Sequence, residues 1–222
     1  MFELLIYTSN KKVPGFIVLI DYEKAFDMVE WDFLFKTLDA FNFGPTFINL
    51  IKLLYRNISS YTTNNGFLSR NFKLTRGIRQ GCPISALLFV LVAEILSIKL
   101  RSDKNVTGIL VNNIEYKICQ LADDTTIFVK NLQSLQNAIT LFQQFRECSG
   151  LKLNLEKCEI IPLGPCRACG LALPKSVDKL KVNTGAFKTL GIWFSYDLDE
   201  SMKLNYEERF SKISCGVTSH IE

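Results

Sequence analysis

The sequence predicts an α+β fold, an antiparallel sheet backed by helices. Three observations carry that expectation. Short β-branched runs interleave with longer helical stretches along the 222 residues. Hairpin signals sit among the strands, which suits an antiparallel sheet better than a parallel wound one. Seventeen phenylalanines call for a large aromatic core rather than a disordered tail.

Each element follows from local pattern. Gly15 to Asp21 (GFIVLID) is a continuous apolar run entered from Pro14 and closed by a carboxylate, the signature of a buried strand. Trp31 to Phe41 and Pro45 to Arg56 read as helices, with Pro45 suited to the first turn of the second. Ser59 to Leu74 holds Asn64-Asn65-Gly66 between β-prone segments, a hairpin signal. The polar loop Arg76-Gly77-Ile78-Arg79-Gln80-Gly81-Cys82-Pro83 feeds a buried helix from Ser85 to Leu100. Ile118 to Leu121 and Thr125 to Lys130 are strands joined through Ala122-Asp123-Asp124, a tight hairpin with acids at its tip. Apolar residues at 132, 135, 139, 142 and 145 mark an amphipathic helix that stops at Ser149-Gly150. Lys157 to Leu163 is a further strand, Gly164 to Pro174 is rich in Gly, Pro and Cys, and Phe187 to Phe194 returns as strand. The tail after Tyr196 is polar and weakly patterned, and the chain holds no repeat or low-complexity tract.

Composition narrows the function. A net charge of +4 permits a nucleic-acid partner without demanding one. Seven scattered cysteines do not resemble a secreted disulfide framework, so a reducing compartment is expected. Cys166-x-x-Cys169 has a metal-like spacing, but no second pair follows, and free loop thiols are the simpler reading. His220 is the single histidine, at the C-terminal end, which argues against histidine-based acid–base catalysis. The opening residues lack an export signal, and the longest apolar run, Ile84 to Ile98, contains Glu94 and falls short of the roughly 20 residues that span a bilayer. The expected location is intracellular, nucleus or cytoplasm, without a membrane partner and without secretion.

Asp123-Asp124 is the most telling pair. Adjacent acids in a turn repel each other and add nothing to a core, so an isolated pair would be a solvated turn. Here the flanking strands are too apolar for an idle surface loop, which shifts weight toward a cation. Mg²⁺ takes oxygen ligands and commonly holds one or two carboxylates plus substrate phosphates. Asp21 ends its own apolar strand in the same way and becomes a neighbour of Asp123 if the strands pair centrally. Two or three such carboxylates can hold two metal ions about 3.5–4 Å apart for in-line phosphoryl transfer.

The segments LIDYEKAFDMVEWDFL (19–34), RGIRQGCPISALLF (76–89), LADD (121–124), SGLKLNLEKCEI (149–160) and FKTLGIWF (187–194) stand in the order and spacing of LINE-type (non-LTR retrotransposon) reverse transcriptases. Singly each is weak; together they span about 175 residues, and the chain resembles that family. The resemblance implies a right-hand polymerase palm that adds dNTPs to a DNA primer 3′-hydroxyl on an RNA template. It implies two Mg²⁺ ions, with Mn²⁺ as a substitute, ligated by Asp21 and Asp123, with Asp124 as third acid and Tyr22 counted in the metal set. The backbone at Tyr22 and Glu23 is similar to the segment that cradles the triphosphate. Phe26 matches an aromatic gate against the ribose 2′-hydroxyl; taken alone it is a core residue at a helix start. Gln80 and Gly81 match the segment that packs on nucleotide and template, otherwise a plain loop before a helix. Lys157 matches a lysine near the pyrophosphate, as proton donor or charge partner, otherwise a solvated lysine. Leu190 and Gly191 fall in the segment that resembles the primer grip, otherwise an edge hairpin.

The chain departs from the family at Leu121, where an aromatic residue usually precedes Ala-Asp-Asp. Twenty residues precede Asp21 and the tail is short for a thumb, so truncated fingers and thumb are expected. The implied organisation is a palm with a remnant of fingers over 1–163, a linker over 164–185, and primer-grip-like strands with the start of a thumb or connection over 186–222. The alternative is an incompetent palm kept as an RNA-binding or vestigial domain. A phospho-accepting receiver domain places its acid pair before the single acid, the reverse of this order. A two-metal nuclease lacks the further acids it needs. Oligomeric state is not legible.

Overall fold

The apolar run Gly15–Ile20 becomes the middle strand of the sheet, because it is flanked on both sides by partners and covered on both faces. A computed structural model describes residues 1–168 and 171–218, with side chains up to residue 210. In chain order the elements open with α1 (Phe2–Asn10), β1 (Gly15–Ile20), α2 (Ala25–Met28), α3 (Trp31–Ala40) and α4 (Pro45–Leu54). Next, β2 (Ser59–Ser60), β3 (Thr63–Asn64), β4 (Phe67–Leu68) and β5 (Phe72–Lys73) form two small ribbons, β2 with β5 and β3 with β4. They are followed by α5 (Ser85–Ser102), β6 (Ile109–Val111), β7 (Ile114–Tyr116), β8 (Ile118–Leu121), β9 (Asp124–Val129) and α6 (Leu132–Ser149). The remainder holds β10 (Glu159–Leu163), a 3-10 turn at Gly164–Arg167, β11 (Lys181–Val182), β12 (Phe187–Thr189), β13 (Ile192–Phe194) and α7 (Leu198–Thr218).

The main sheet runs β11-β10-β1-β9-β8. β1 is antiparallel to both neighbours, with Ile17 opposite Phe128 on one side and Ile161 on the other. Alternate residues face opposite layers. Phe16, Val18, Ile20, Ile127, Val129 and Ile160 pack against α3, α5 and α6 through residues such as Leu34, Phe89 and Phe142. Ile17, Phe128, Ile161 and Leu163 meet Leu5 of α1 together with Phe187 and Phe194. Burial on both faces explains why β1 reads as an unbroken apolar run.

The expected antiparallel sheet backed by helices is present, and most boundaries fall within a residue or two of the sequence pattern. α6 is capped as its ends suggest: Asn131 accepts the Ser134 N–H at 2.8 Å, and Gly150 closes the helix at φ +81°. Within 164–185, Val177 and Leu180 are buried in the main core and β11 adds a parallel edge strand. The polar tail is helical as α7. Cys166 is half-buried in the 3-10 turn, while Cys169 and His220 lie outside the described residues. Among the described residues no helix is long and apolar enough to cross a membrane.

Candidate active site

Antiparallel register brings the acids to one end of the sheet. Ile20 lies opposite Thr125, so Asp21, which follows Ile20, and Asp124, which precedes Thr125 as the first residue of β9, lie at the same end of the sheet. Both line an open cleft of about 340 Å³ with Lys157, Glu159, Lys188, Leu190 and Gly191. The Asp124 carboxyl is held above its ordinary range, first by partial burial and then by repulsion from Asp123 and Asp21.

Asp123 occupies the hairpin tip. Leu121 pairs with Asp124, leaving a two-residue turn, Ala122-Asp123, rather than the three residues expected. Ala122 takes φ +52°, a left-handed conformation that costs an L-residue with a Cβ about 1–2 kcal/mol. A tip built from Ala-Asp therefore needs outside support.

The Asp21 backbone is clamped by the loop before β10. Its carbonyl accepts the Asn154 N–H at 2.9 Å, and its N–H donates to Cys158 Sγ at 3.3 Å. Cys158 is fully buried, and burial pushes its thiol up to about 11, so it stays protonated and donates to the Asp21 carbonyl at 3.8 Å. Tyr22 bridges to Leu153 through its backbone, and its ring is buried. The Glu23 N–H donates to the Lys152 carbonyl at 2.9 Å, and its carboxylate pairs with Lys152 Nζ at 2.6 Å.

Phe26, Gln80 and Gly81 lie outside the lining of the acid cleft. Phe26 opens toward solvent on one side and stacks on Phe89 of α5, ring centroids 4.5 Å apart and 19° between planes. The loop carrying Gln80 docks beside it: Ile78 N–H donates to the Phe26 carbonyl at 2.6 Å, Gly77 N–H to the Val29 carbonyl at 2.8 Å, and the Trp31 indole to the Gly77 carbonyl at 2.8 Å. Gln80 Nε2 reaches Asp27 Oδ1 at 3.4 Å. Gly81 is exposed at φ +81°, and a Cβ there would meet open space. Leu190-Gly191 forms the β12–β13 turn, both at positive φ, on the rim opposite the acids.

Sequence inspection passed over Cys158, Glu159 and Lys188. Glu159 had a signal: it is a charged residue opening an otherwise apolar strand, and it pairs with Leu19 on β1. Cys158 had none, since a lone buried thiol is indistinguishable from core packing.

The donors at this edge are hard carboxylate oxygens whose mutual repulsion a divalent cation relieves. Among the described residues no three or more His, Cys, Asp or Glu side chains converge as a ready-made cage. Carboxylate oxygens of this kind suit a hard divalent cation.

Among solved structures, the chain is similar to telomerase from Candida tropicalis truncated from its C-terminal domain, with a TM-score of 0.56 at 15% identity, over 87% of this chain and 36% of that one. It is also similar to Candida tropicalis telomerase in complex with a fragment of telomeric RNA, at 0.52 and 14%, over 72% and 28%. At these identities the shared property is the fold, a right-hand polymerase palm. The model of the reverse transcriptase (RNA-dependent DNA polymerase) family matches residues 5–194, and the chain belongs to that family. Its relatives are non-LTR retrotransposon proteins. It is 29% identical over 195 residues to the transposon TX1 uncharacterized 149 kDa protein of Xenopus laevis, covering 87% of this chain and 15% of that protein. It is 29% identical over 203 residues to the retrovirus-related Pol polyprotein from type-2 retrotransposable element R2DM of Drosophila melanogaster, covering 87% and 19%. The chain thus spans less than a fifth of the length of these two relatives.

Proposed function

We propose that the domain adds dNTPs to the 3′-hydroxyl of a DNA primer, directed by an RNA template, at the cleft between the acid hairpin and the β12–β13 turn. The observation that carries this reading is the strand register that sets Asp21 beside Asp124 with Asp123 at the adjoining tip. Asp21, Asp123 and Asp124 hold the divalent ions, Mg²⁺ or Mn²⁺. When bound, such ions supply positive charge that favours the alkoxide form of the primer hydroxyl and offsets charge on the departing pyrophosphate. Lys157, exposed on the cleft wall, places a cation where the pyrophosphate leaves. Phe26, seated on Phe89, lies against the sugar of the incoming nucleotide, and Gln80 and Gly81 pack beside it. Leu190-Gly191 presents a turn of backbone to the primer end. In this scheme residues 1–163 form the palm with part of the fingers, and 186–222 begin the unit that holds the primer.

The test is primer extension on an RNA template with Mg²⁺ and dNTPs, beside Asp123→Asn. Extension by the wild type that is lost in the variant supports the assignment. Equal extension by both refutes the role given to Asp123.

A further inference from the structure

The Ala122-Asp123 turn is strained, and strained turns persist only where the surroundings over-determine them. The surroundings here are a chain of three side chains from three separate elements. Ser97, in the middle of α5 and fully buried, donates its hydroxyl to Gln120 Oε1 at 2.6 Å. Gln120 Nε2 on β8 then donates to Thr125 Oγ1 on β9 at 2.8 Å. Thr125 in turn reaches the Asp123 carbonyl at 3.4 Å. A hydroxyl can donate once and accept as well, and Thr125 does both, accepting from Gln120 and donating to the Asp123 carbonyl.

We infer that Ser97, Gln120 and Thr125 form a positioning network that holds the Asp123 backbone at the strained turn and so aims the carboxylate. The network runs from α5 to the cleft wall, which Thr125 also lines. It ties α5 to the hairpin that carries Asp123 and Asp124. Its members are positioning residues, since they act on the Asp123 backbone through hydrogen bonds. The inference rests on the proposed role of the acids, and it concerns residues that role does not include.

Two measurements on the full chain test it. The first is Mn²⁺ affinity from the electron paramagnetic resonance signal of free Mn²⁺. The second is hydrogen exchange at the hairpin amides, followed without metal. Thr125→Val keeps the shape and loses every bond, Gln120→Leu removes the bridge, and Thr125→Ser restores the hydroxyl. Thr125→Val and Gln120→Leu are expected to weaken Mn²⁺ binding about 10-fold or more, the range typical of groups that orient metal ligands. Hairpin exchange is expected to speed up in both. The double variant should be no weaker than the worse single one, because both act through one path. Thr125→Ser should return both readouts toward wild type, which loss of packing alone would not allow. If Thr125→Val fails to fold, Ser97→Ala carries the same test more gently. Unchanged hairpin exchange in folded variants overturns the network. Asp123→Asn, run in parallel, separates the two claims: if it leaves Mn²⁺ binding intact, the metal assignment fails, and the exchange data still decide the network.

Discussion

Asp21 and Cys158 are joined twice, by Asp21 N–H to Sγ at 3.3 Å and by the thiol back to the Asp21 carbonyl at 3.8 Å. The first bond satisfies a backbone donor at the mouth of the cleft. Cys158→Ala leaves that part-buried N–H without its partner, a loss of about 1 kcal/mol. Urea unfolding should show this loss, and primer extension should fall with it because the backbone carrying Asp21 is no longer clamped. Cys158→Ser keeps a hydrogen-bonding group and should recover part of both. A Cys158→Ala variant as stable and active as wild type would make the contact incidental.

The acids were legible because strands announce themselves and register then does the rest. An apolar run that ends in Asp21 and a hairpin that begins with Asp124 need only central pairing to meet. The conformation of the tip was not legible, since Ala122 carries no local preference for positive φ and its neighbours Gln120 and Thr125 are tied to α5 only in the folded chain. Gln120 and Thr125 looked like ordinary alternate strand residues, and Ser97 like a small residue in an apolar helix. Their meaning lies in pairings between distant segments. The β6–β7 hairpin did have a signal, Asn112-Asn113, both now at positive φ. α7 was obscured by its polar composition, and its apolar residues Leu198, Met202, Tyr206 and Phe210 remain exposed, so no burial pattern pointed to it.

Gly77 and Gly81 look alike in the sequence and should respond differently to alanine. Gly81 at φ +81° has open space where a Cβ would go, so Gly81→Ala costs only backbone strain, about 1 kcal/mol. Gly77 at φ +95° would place its Cβ 2.9 Å from the Asp27 carbonyl oxygen. It also accepts the Trp31 indole bond. Gly77→Ala should therefore lift the loop from α2 and cost about 2–3 kcal/mol. Thermal unfolding compares the two variants, and Trp31 fluorescence reports whether the indole has lost its carbonyl. Equal effects at both sites would mean the loop yields freely.

Phe26 owes its position to Phe89, which is fully buried beneath it. If the Phe26 ring excludes a ribose 2′-hydroxyl, Phe26→Val should narrow the preference for dNTPs over rNTPs by about 10- to 100-fold, the scale of a changed steric contact in a pocket. Phe89→Leu should move selectivity the same way by a smaller factor, since it loosens the seat and leaves the ring. Competitive incorporation of dNTP and rNTP measures both. A Phe26→Val variant that loses overall rate with unchanged selectivity would assign the ring to the core alone.

Alkaline pH should weaken the fold through its buried tyrosines. Burial pushes Tyr196 up to about 12, against the pull of the Arg167 guanidinium 3.5 Å from its ring, and the Tyr196 hydroxyl donates to the Pro162 carbonyl. Burial raises Tyr22 and Tyr55 as well. In each case the folded state holds the phenolic proton more tightly than the unfolded chain, whose tyrosines titrate near 10.0. The contribution is complete below pH 10 and is lost as pH rises from 10 toward 12, because only the unfolded state ionises in that window. Tyr196→Phe removes one such group. It should lower stability modestly at neutral pH by deleting the bond to Pro162, yet its stability should decline less steeply than wild type across the alkaline window. Urea unfolding at several pH values, with tyrosinate absorbance followed in parallel, decides the matter. Identical slopes for the two proteins would show that Tyr196 ionises freely in the native state.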